Sequence, residues 1–343
     1  MAADSVAAYA SGPYGSAVGA LLEPKNLPAV RPFGKSCRAV HPHDFKSLAD
    51  NAVDALLSEF RHRCKESAQE QTTAAEFARL LSFIAALQRK FEIAVVTVNY
   101  DNILYRTLPG IETGFDPQTK RFNEKRIFER RVWPCMLHLH GSVHFDMPTT
   151  SNSDMHEIFW EPDINADFAQ NAAGRGGSLL FKREGLVLPT SAIIAGYAKT
   201  MQILRRPFRT YYSELDRLVS ECDALLLAGY GFGDDHLNIA FEQFREDSRH
   251  RPVAFIQKTA RGEAPWGHPN FHGPIADAIQ KTFRTNLEPM YSSVRTNVIR
   301  ALNRLIDERE FARSTDPPLA IWHNGMLEAC DYPDKVIAVL NGS

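Results

Sequence analysis

Residues 93–101 read Ile-Ala-Val-Val-Thr-Val-Asn-Tyr-Asp, a β-branched run that ends in polar side chains. A short apolar run of this kind is typical of a strand buried on both faces of a sheet. Similar runs follow at residues 136–140, 224–228 and 253–256. The sequence therefore predicts at least four buried strands.

Helical patterns surround and separate these runs. Apolar residues recur at three- and four-residue spacings in five segments, at 45–60, 73–87, 208–219, 234–244 and 294–305. The second of these segments opens with a capping-box pattern at Thr73 and Glu76. Alternating strands and helices predict an α/β fold with a doubly wound, Rossmann-like parallel sheet that carries helices on both faces.

Composition divides the chain into three predicted regions. Residues 1–40 are rich in Ala, Gly, Ser and Pro and lack periodicity, which predicts an irregular or disordered tail. Residues 41–260 form the predicted α/β domain, with insertions expected at 108–134 and 146–185. Residues 261–343 form a predicted C-terminal helical extension.

Composition and charge also exclude several classes of protein. The 343 residues are 44% hydrophobic and 23% charged, which is typical of a globular chain rather than a disordered one. Because 39 Lys and Arg residues are balanced by 41 Asp and Glu residues, we expect no binding to nucleic acid or to an anionic membrane. No apolar run is long enough to span a bilayer and no signal peptide is evident, so we expect a cytoplasmic protein.

Polar and glycine residues directly follow three of the predicted strands. Ligands of open α/β sheets bind outside the carboxyl ends of the strands, and polar groups placed there cost free energy unless they are paired. Residues 229–235 combine a glycine turn with a helix start, which lets a backbone approach a nucleotide closely. Asp234 and Asp235 in this segment either suit ribose hydroxyls or act as plain N-caps. The candidate site residues are Thr97, Asn99, Asp101, His140, Ser142, Gly229, Tyr230, Gly231 and Asp234.

The polar and glycine segments that follow these three predicted strands together resemble motifs of the sirtuin superfamily. Residues 97–101 are similar to its Thr-Gln-Asn-Ile-Asp motif, residues 140–142 to its His-Gly motif, and residues 229–231 lie where its Gly-Thr-Ser turn follows a strand. With the additional segments 188–190 (Leu-Pro-Thr) and 207–209 (Pro-Phe-Arg), these variants look closer to sirtuin-like NAD hydrolases of bacterial anti-phage systems than to protein deacetylases. The resemblance covers roughly residues 45–260, and the order of the motifs is more specific than any one of them.

The resemblance implies that NAD is the ligand and that the chain hydrolyses it to nicotinamide and ADP-ribose. Asn99 would hold the nicotinamide ribose and the attacking water, Asp101 would position the nicotinamide or the loop around it, and His140 would accept a proton from a ribose hydroxyl. Gly229 and Gly231 would line the adenosine side. These residue types suit the chemistry, because an amide orients water without carrying charge and a histidine can take a proton as charge develops.

Two departures from the family pattern lead to further expectations. The five cysteines are scattered without a Cys-x-x-Cys pair, so no zinc is expected and the deacetylase function is less favoured. No strand ending in Gly-Ala-Gly-x-Ser precedes Asn99, although that strand is central in the family sheet and its loss would leave two unpaired edges. We therefore hypothesise that the first strand of the family fold is missing, through a truncated gene model or a fragment completed by another segment.

Other functions and a control mechanism are also considered. The alternatives are a non-catalytic NAD or ADP-ribose binding module, an NAD-dependent protein deacetylase, and a metal-dependent hydrolase that uses His138 and His140 on one strand. Residues 120–131 hold six basic and two acidic side chains, for which a solvated surface is favoured over a strip that binds single-stranded nucleic acid. Because unregulated NAD hydrolysis would harm the host cell, the resemblance also implies control by a homo-oligomer or by an accessory defence protein.

Overall fold

The computed structural model describes residues 42–129, 134–147, 157–168, 180–183, 186–189, 192–194, 203–262, 274–291, 298–315 and 317–342. The tail predicted at residues 1–40 lies outside the described residues, as does Thr190 of the Leu-Pro-Thr segment.

The described residues form short strands and mostly longer helices. The strands are β1 (Ala94–Thr97), β2 (Cys135–His138), β3 (Phe145–Asp146), β4 (Phe159–Trp160), β5 (Leu180–Arg183), β6 (Leu186–Pro189), β7 (Leu225–Ala228), β8 (Val253–Ile256), β9 (Ala312–Thr315) and β10 (Pro318–Trp322). The helices are α1 (Pro42–Gln69), α2 (Gln71–Gln88), α3 (Ile103–Thr107), α4 (Lys125–Phe128), α5 (Phe208–Glu221), α6 (Asp235–Asp247), α7 (Pro274–Phe283), α8 (Glu288–Tyr291), α9 (Val298–Glu308), α10 (Met326–Ala329) and α11 (Pro333–Leu340).

The chain divides into two compact units. Unit 1 comprises Met1–Ala74 and Ala94–Glu214, and unit 2 comprises Ala75–Ile93 and Leu215–Ser343. Strands β1 to β6 therefore belong to unit 1, and strands β7 to β10 belong to unit 2.

Unit 1 is organised around the parallel pair β1 and β2, in which Thr97 lies opposite His138. Strand β2 is buried along its whole length, as its apolar run predicts, and the buried residues include His138 at its end. Phe115, Phe145 and Trp160 form an aromatic cluster with ring-centroid distances of 5.5 to 6.0 Å. Strands β3 and β4 form one antiparallel pair, and β5 and β6 form another.

Unit 2 contains a four-stranded sheet in the order β7-β8-β10-β9. Strands β7, β8 and β10 run parallel, and β9 pairs antiparallel with β10. All four residues of β8 are buried, and this strand has a neighbouring strand on each side. The carboxyl ends of β7, β8 and β10 consequently share one edge of the sheet.

The structure confirms a mixed α/β protein with parallel strand pairs. The prediction that the C-terminal extension is helical is wrong in one respect, because β9 and β10 are strands and β10 pairs with β8. Thr73 is not an N-cap either, since α2 already begins at Gln71. The doubly wound arrangement, the missing first strand and the domain boundaries stay predictions.

Among the described residues, no helix has both the length and the apolar character needed to cross a membrane.

Candidate functional site

Two of the predicted motifs meet at the carboxyl ends of β1 and β2. The N–H of Leu139 donates to the Thr97 carbonyl at 3.0 Å, so the two chains stay paired up to the last residues of the strands. Asn99 and His140 each follow the Thr97–His138 pair by two positions. The Asn99 side chain is exposed and the His140 side chain is half-buried, so both are accessible from solvent. We call this set the polar edge: Thr97, Asn99, Asp101, His140 and Ser142.

Local hydrogen bonds fix the loop that follows β1. The backbone N–H of Asn99 donates to the Thr97 hydroxyl oxygen at 3.1 Å, and the backbone N–H of Ile103 donates to Oδ1 of Asp101 at 3.0 Å. Burial raises the pKa of the Asp101 carboxyl, and the hydrogen bond from Ile103 partly offsets that effect. Asp101 thus orders the start of α3, while Asn99 is left at the surface.

The loop that follows β2 packs against residues 192–194, which are buried. The N–H of Ile194 donates to the His140 carbonyl at 2.7 Å, and the Tyr100 hydroxyl donates to the Ile194 carbonyl at 2.7 Å. Gly141 has a φ of +110°, and a Cβ on it would lie 2.8 Å from the carbonyl oxygen of Ala192. The His-Gly motif therefore needs glycine for a close backbone approach, and this approach fixes the backbone of His140.

Ser142 is the most deeply buried member of the polar edge. It is fully buried, and its Oγ accepts the backbone N–H of His144 at 3.3 Å. The neighbouring N–H of Val143 donates to the Tyr100 carbonyl at 2.7 Å, which ties the two loops together. Ser142 thus stabilises the turn of the chain after His140.

Replacing Gly141 with alanine is expected to destabilise unit 1 by more than the positive φ alone can explain. A left-handed backbone costs a non-glycine residue about 1–2 kcal/mol, and the clash with Ala192 adds to that cost. Gly110→Ala is the matched control, because Gly110 has a φ of +76° and its Cβ position meets no atom within 4 Å. Urea unfolding of both variants measures the difference, and an equal loss of stability would contradict the close-approach argument.

Unit 2 carries the third motif, a glycine turn at residues 229–234 between β7 and α6. Gly229 has a φ of +64°, and its N–H donates to the Ile256 carbonyl at 2.9 Å. A Cβ built on Gly229, Gly231 or Gly233 would meet no atom within 4 Å. The backbone of the turn is therefore openly accessible, as the close approach of a nucleotide requires.

Asp234 is the N-cap of α6. This agrees with the interpretation of its carboxylate as a plain N-cap. Its Oδ1 accepts the backbone N–H of His236 at 3.1 Å, and the residue is 5% exposed. The Tyr230 hydroxyl lies 2.8 Å from Oδ1 of Asn238 and 3.0 Å from the Asp234 carbonyl oxygen, and burial raises the pKa of this hydroxyl. Tyr230 and Asp234 thus stabilise the turn from within, whereas Gly229 and Gly231 leave its surface open.

A polar cluster that the sequence did not predict lies where β8 and β10 end. His323 is buried, with Nε2 2.8 Å from the Tyr291 hydroxyl and Nδ1 3.0 Å from the Thr259 hydroxyl and 3.2 Å from Nε2 of Gln257. Burial lowers the pKa of His323 to about 3, so the ring is neutral at pH 7. In the sequence, this cluster is indicated only by the apolar run that His323 follows. The hydrogen-bond partners of His323 come from distant segments, which no local pattern connects to it.

The described residues contain no group of three or more His, Cys, Asp or Glu side chains that could hold a metal ion. His138 is fully buried, with the rings of Phe145 and Trp160 at 6.1 and 5.5 Å, and burial lowers its pKa to about 3. His140 lies in the turn beyond β2 rather than on the strand. The predicted alternation of these two histidines on one strand, on which the metal-hydrolase alternative rests, is therefore wrong.

Three basic side chains of the segment 120–131 are paired with acidic side chains in the structure. Arg121 lies 2.5 Å from Glu157 and Arg126 lies 2.7 Å from Glu112, and Lys120 also bonds to a carboxylate. Cations held in such pairs are less available to phosphate groups. The pairing supports the interpretation of this segment as a solvated surface.

The parallel strands and the open glycine turn are consistent with a Rossmann-like α/β protein. Residues 93–266, which are 174 of the 343 residues, match the family model described as "SIR2-like domain". The chain therefore belongs to the SIR2-like domain family. SIR2-like domains bind NAD, so the function of the chain is NAD-related. A search of curated proteins finds no match.

Proposed function

We propose that this chain binds NAD and hydrolyses it to nicotinamide and ADP-ribose. The observation that carries the proposal is the position of Asn99 and His140 at one edge of two paired parallel strands inside the SIR2-like region. Neighbouring strands are about 4.8 Å apart, so side chains at equivalent positions beyond them can contact the same small group. An amide and an imidazole at this separation suit the nicotinamide ribose and a water molecule.

Four members of the polar edge have a proposed role in this reaction, and the fifth, Ser142, stabilises the turn after His140. Cleavage of the bond between nicotinamide and ribose develops positive charge on the sugar, as in glycoside hydrolysis. Asn99 orients the water and the ribose, and His140 accepts a proton from a ribose hydroxyl as that charge grows. Asp101 positions the nicotinamide through the loop that it orders, and Thr97 fixes the backbone of Asn99 through its hydroxyl oxygen.

The glycine turn supplies the proposed contacts to the nucleotide part of NAD. Gly229 and Gly231 line the adenosine, with the open backbone of the turn as support for this role. Tyr230 and Asp234 act from within the turn by keeping its shape.

The resemblance to sirtuin-like NAD hydrolases of anti-phage systems also suggests the biological role of this activity. We propose that the activity serves anti-phage defence, in which depletion of NAD halts the metabolism of an infected cell. Such an activity requires control, and we propose that a homo-oligomer or an accessory defence protein provides it.

The direct test is nicotinamide release from NAD by the purified chain, separated by liquid chromatography and compared with His140→Ala. We expect release from the wild-type chain and a loss of about 100-fold in the variant, which is the usual size of a general-base contribution. His62→Ala is the control, because His62 is an exposed histidine of unit 1. A folded wild-type chain that binds NAD without releasing nicotinamide would instead establish the non-catalytic binding module.

Gly231→Leu is expected to weaken NAD binding by about 10-fold or more without loss of stability. Gly231 has an ordinary backbone conformation and open space around its Cβ position, so a larger side chain fits the fold but covers the turn. Gly231→Ala is the graded control and should have a smaller effect. Calorimetric titration with NAD measures both, and equal affinity in wild type and Gly231→Leu would remove the turn from the proposed site.

A further inference from the structure

One helix of unit 1 contacts both loops of the polar edge, although it precedes the region that matches the family model. Helix α1 ends at residue 69, whereas that match begins at residue 93. The ring of Phe60 lies 5.2 Å from the ring of Tyr100, which directly follows Asn99. The next residue of the helix, Arg61, bonds to the loop after β2. Helix α1 is therefore placed to fix the two loops relative to each other.

Arg61 is a charged side chain on the buried face of α1. It is 6% exposed and lies between Leu57 and Cys64, which are also buried and share its face of the helix. Arginine is rarely buried without hydrogen-bond partners, because an unpaired charge in the interior costs free energy. The position of Arg61 in the interior therefore requires partners elsewhere in the fold.

The guanidinium group of Arg61 donates two hydrogen bonds to the chain that follows His140. Nε donates to the Val143 carbonyl at 2.8 Å, and Nη2 donates to the Phe145 carbonyl at 2.7 Å. Cζ lies 3.5 Å from the centre of the Phe168 ring, which adds a cation–π contact. Because the guanidinium group is planar and its donors have a fixed geometry, it holds both carbonyl groups in place relative to α1.

These two bonds fix one end of the loop that carries His140. We call residues 139–145 the His140 loop. Its other end is fixed by the Leu139 N–H, which donates to the carbonyl of Thr97 at 3.0 Å. The Val143 N–H donates to the loop after β1, so the residue that the guanidinium group holds also joins the two loops. A displacement of Val143 is therefore expected to move His140 relative to Asn99.

We propose that Arg61 is a positioning residue that keeps His140 in place beside Asn99. It acts through the backbone of the His140 loop and not through contact with NAD. The part of this inference that concerns the reaction rests on the proposed NAD hydrolysis, whereas the ordering of the loop does not.

The first test is hydrogen exchange of the full chain, measured by mass spectrometry on Arg61→Met. The His140 loop is a suitable reporter, because four of its backbone N–H groups are hydrogen-bonded and exchange only when the loop opens. Residues 114–127 of unit 1 are the internal reference, since they carry backbone hydrogen bonds of their own. Arg63→Met is the matched control, because Arg63 is 69% exposed and bonds to Glu59 on the same helix.

We expect exchange in the His140 loop to be at least about 10-fold faster in Arg61→Met, which is the effect of losing one or two buried hydrogen bonds. Residues 114–127 should be unaffected, and Arg63→Met should exchange as the wild type does. Unchanged exchange in the loop would overturn the proposal. An equal increase in the loop and in residues 114–127 would also overturn it, because Arg61 would then stabilise unit 1 as a whole.

The second test is the rate of nicotinamide release at saturating NAD, in a double-mutant cycle with His140→Ala. We expect Arg61→Met to lower the rate at least about 10-fold with an unchanged KM, because a misplaced base slows the reaction without weakening binding. In His140→Ala the same substitution should lower the rate by less than about 2-fold, because the group that Arg61 positions is already absent. An equal loss in both backgrounds would contradict the proposal.

Arg61→Lys keeps the charge but not the planar fork, so both its exchange and its rate should lie between those of the wild type and Arg61→Met. If Arg61→Met does not fold, Arg61→Lys decides the question, and wild-type exchange in its His140 loop would overturn the proposal. A wild-type chain that releases no nicotinamide would refute only the proposed hydrolysis. Exchange in the His140 loop would then decide the role of Arg61.

Discussion

Asn99→Ala is expected to reduce nicotinamide release by about 100-fold or more while leaving the fold intact. The proposed role of Asn99 is to orient water and ribose, and misplacing a reacting group typically costs about that factor. The structural cost should be small, because the side chain is exposed and the hydrogen bond to Thr97 uses the backbone N–H, which alanine retains.

The measurement is the rate at saturating NAD, with a melting curve recorded on the same sample. Asn165→Ala is the matched control, because Asn165 is an exposed asparagine of unit 1 whose backbone N–H bonds to Asp163. A rate close to that of wild type in Asn99→Ala would remove this residue from the reaction, even if hydrolysis itself were established.

Acid is expected to destabilise unit 1 well above the pH at which carboxylates usually titrate. Burial lowers the pKa of His138 to about 3 and that of His144 to about 4, whereas an unfolded histidine titrates near 6.5. Below pH 6.5 the unfolded chain therefore binds more protons than the folded unit, and stability falls as the pH falls. Each histidine can contribute about 1.4 kcal/mol per pH unit, so the two can remove up to about 4 kcal/mol between pH 6.5 and pH 5. Asp101, whose pKa is raised, acts in the opposite direction at lower pH.

Urea unfolding at a series of pH values between 7.5 and 5 measures this slope. His138→Leu should flatten it and also raise stability at pH 7, because neither ring nitrogen of His138 has a partner in the described chain. His62→Gln is the control, since the side chain of His62 is 61% exposed. An unchanged slope in His138→Leu would show that this histidine is not buried in its neutral form.

Much of the fold follows from local pattern. Strand β8 has the bounds that its run Val-Ala-Phe-Ile predicts, because the run is apolar throughout and follows a proline. Strand β10 was missed because its short apolar run looks like a buried helix segment when periodicity alone is considered. Its place beside β8 depends on pairing between residues far apart in the sequence, and no local pattern reports that.

The candidate site could also be predicted only where local sequence patterns determine it. Asn99 and His140 could be found because polar residues directly follow apolar runs, and the register of β1 and β2 places them at one edge. The sequence could not show that Ser142 is buried, and it left open whether Asp234 is an N-cap or a ribose ligand, since both depend on where the chain turns. The hydrogen bond between Nδ1 of His144 and the Glu161 carbonyl oxygen was equally hidden, because it joins two different loops.

The sheet order of unit 2 also bears on the biosynthesis of the protein. Strand β10 separates β8 from β9, so β8 gains its second neighbour only after residue 322 has left the ribosome. Unit 2 also includes Ala75–Ile93 from early in the chain, where Arg79 bonds to Asp331 at 2.9 Å. A nascent chain must hold this helix without these partners until Asp331 has been made. Unit 2 can therefore complete its packing only after residues 318–331 have left the ribosome.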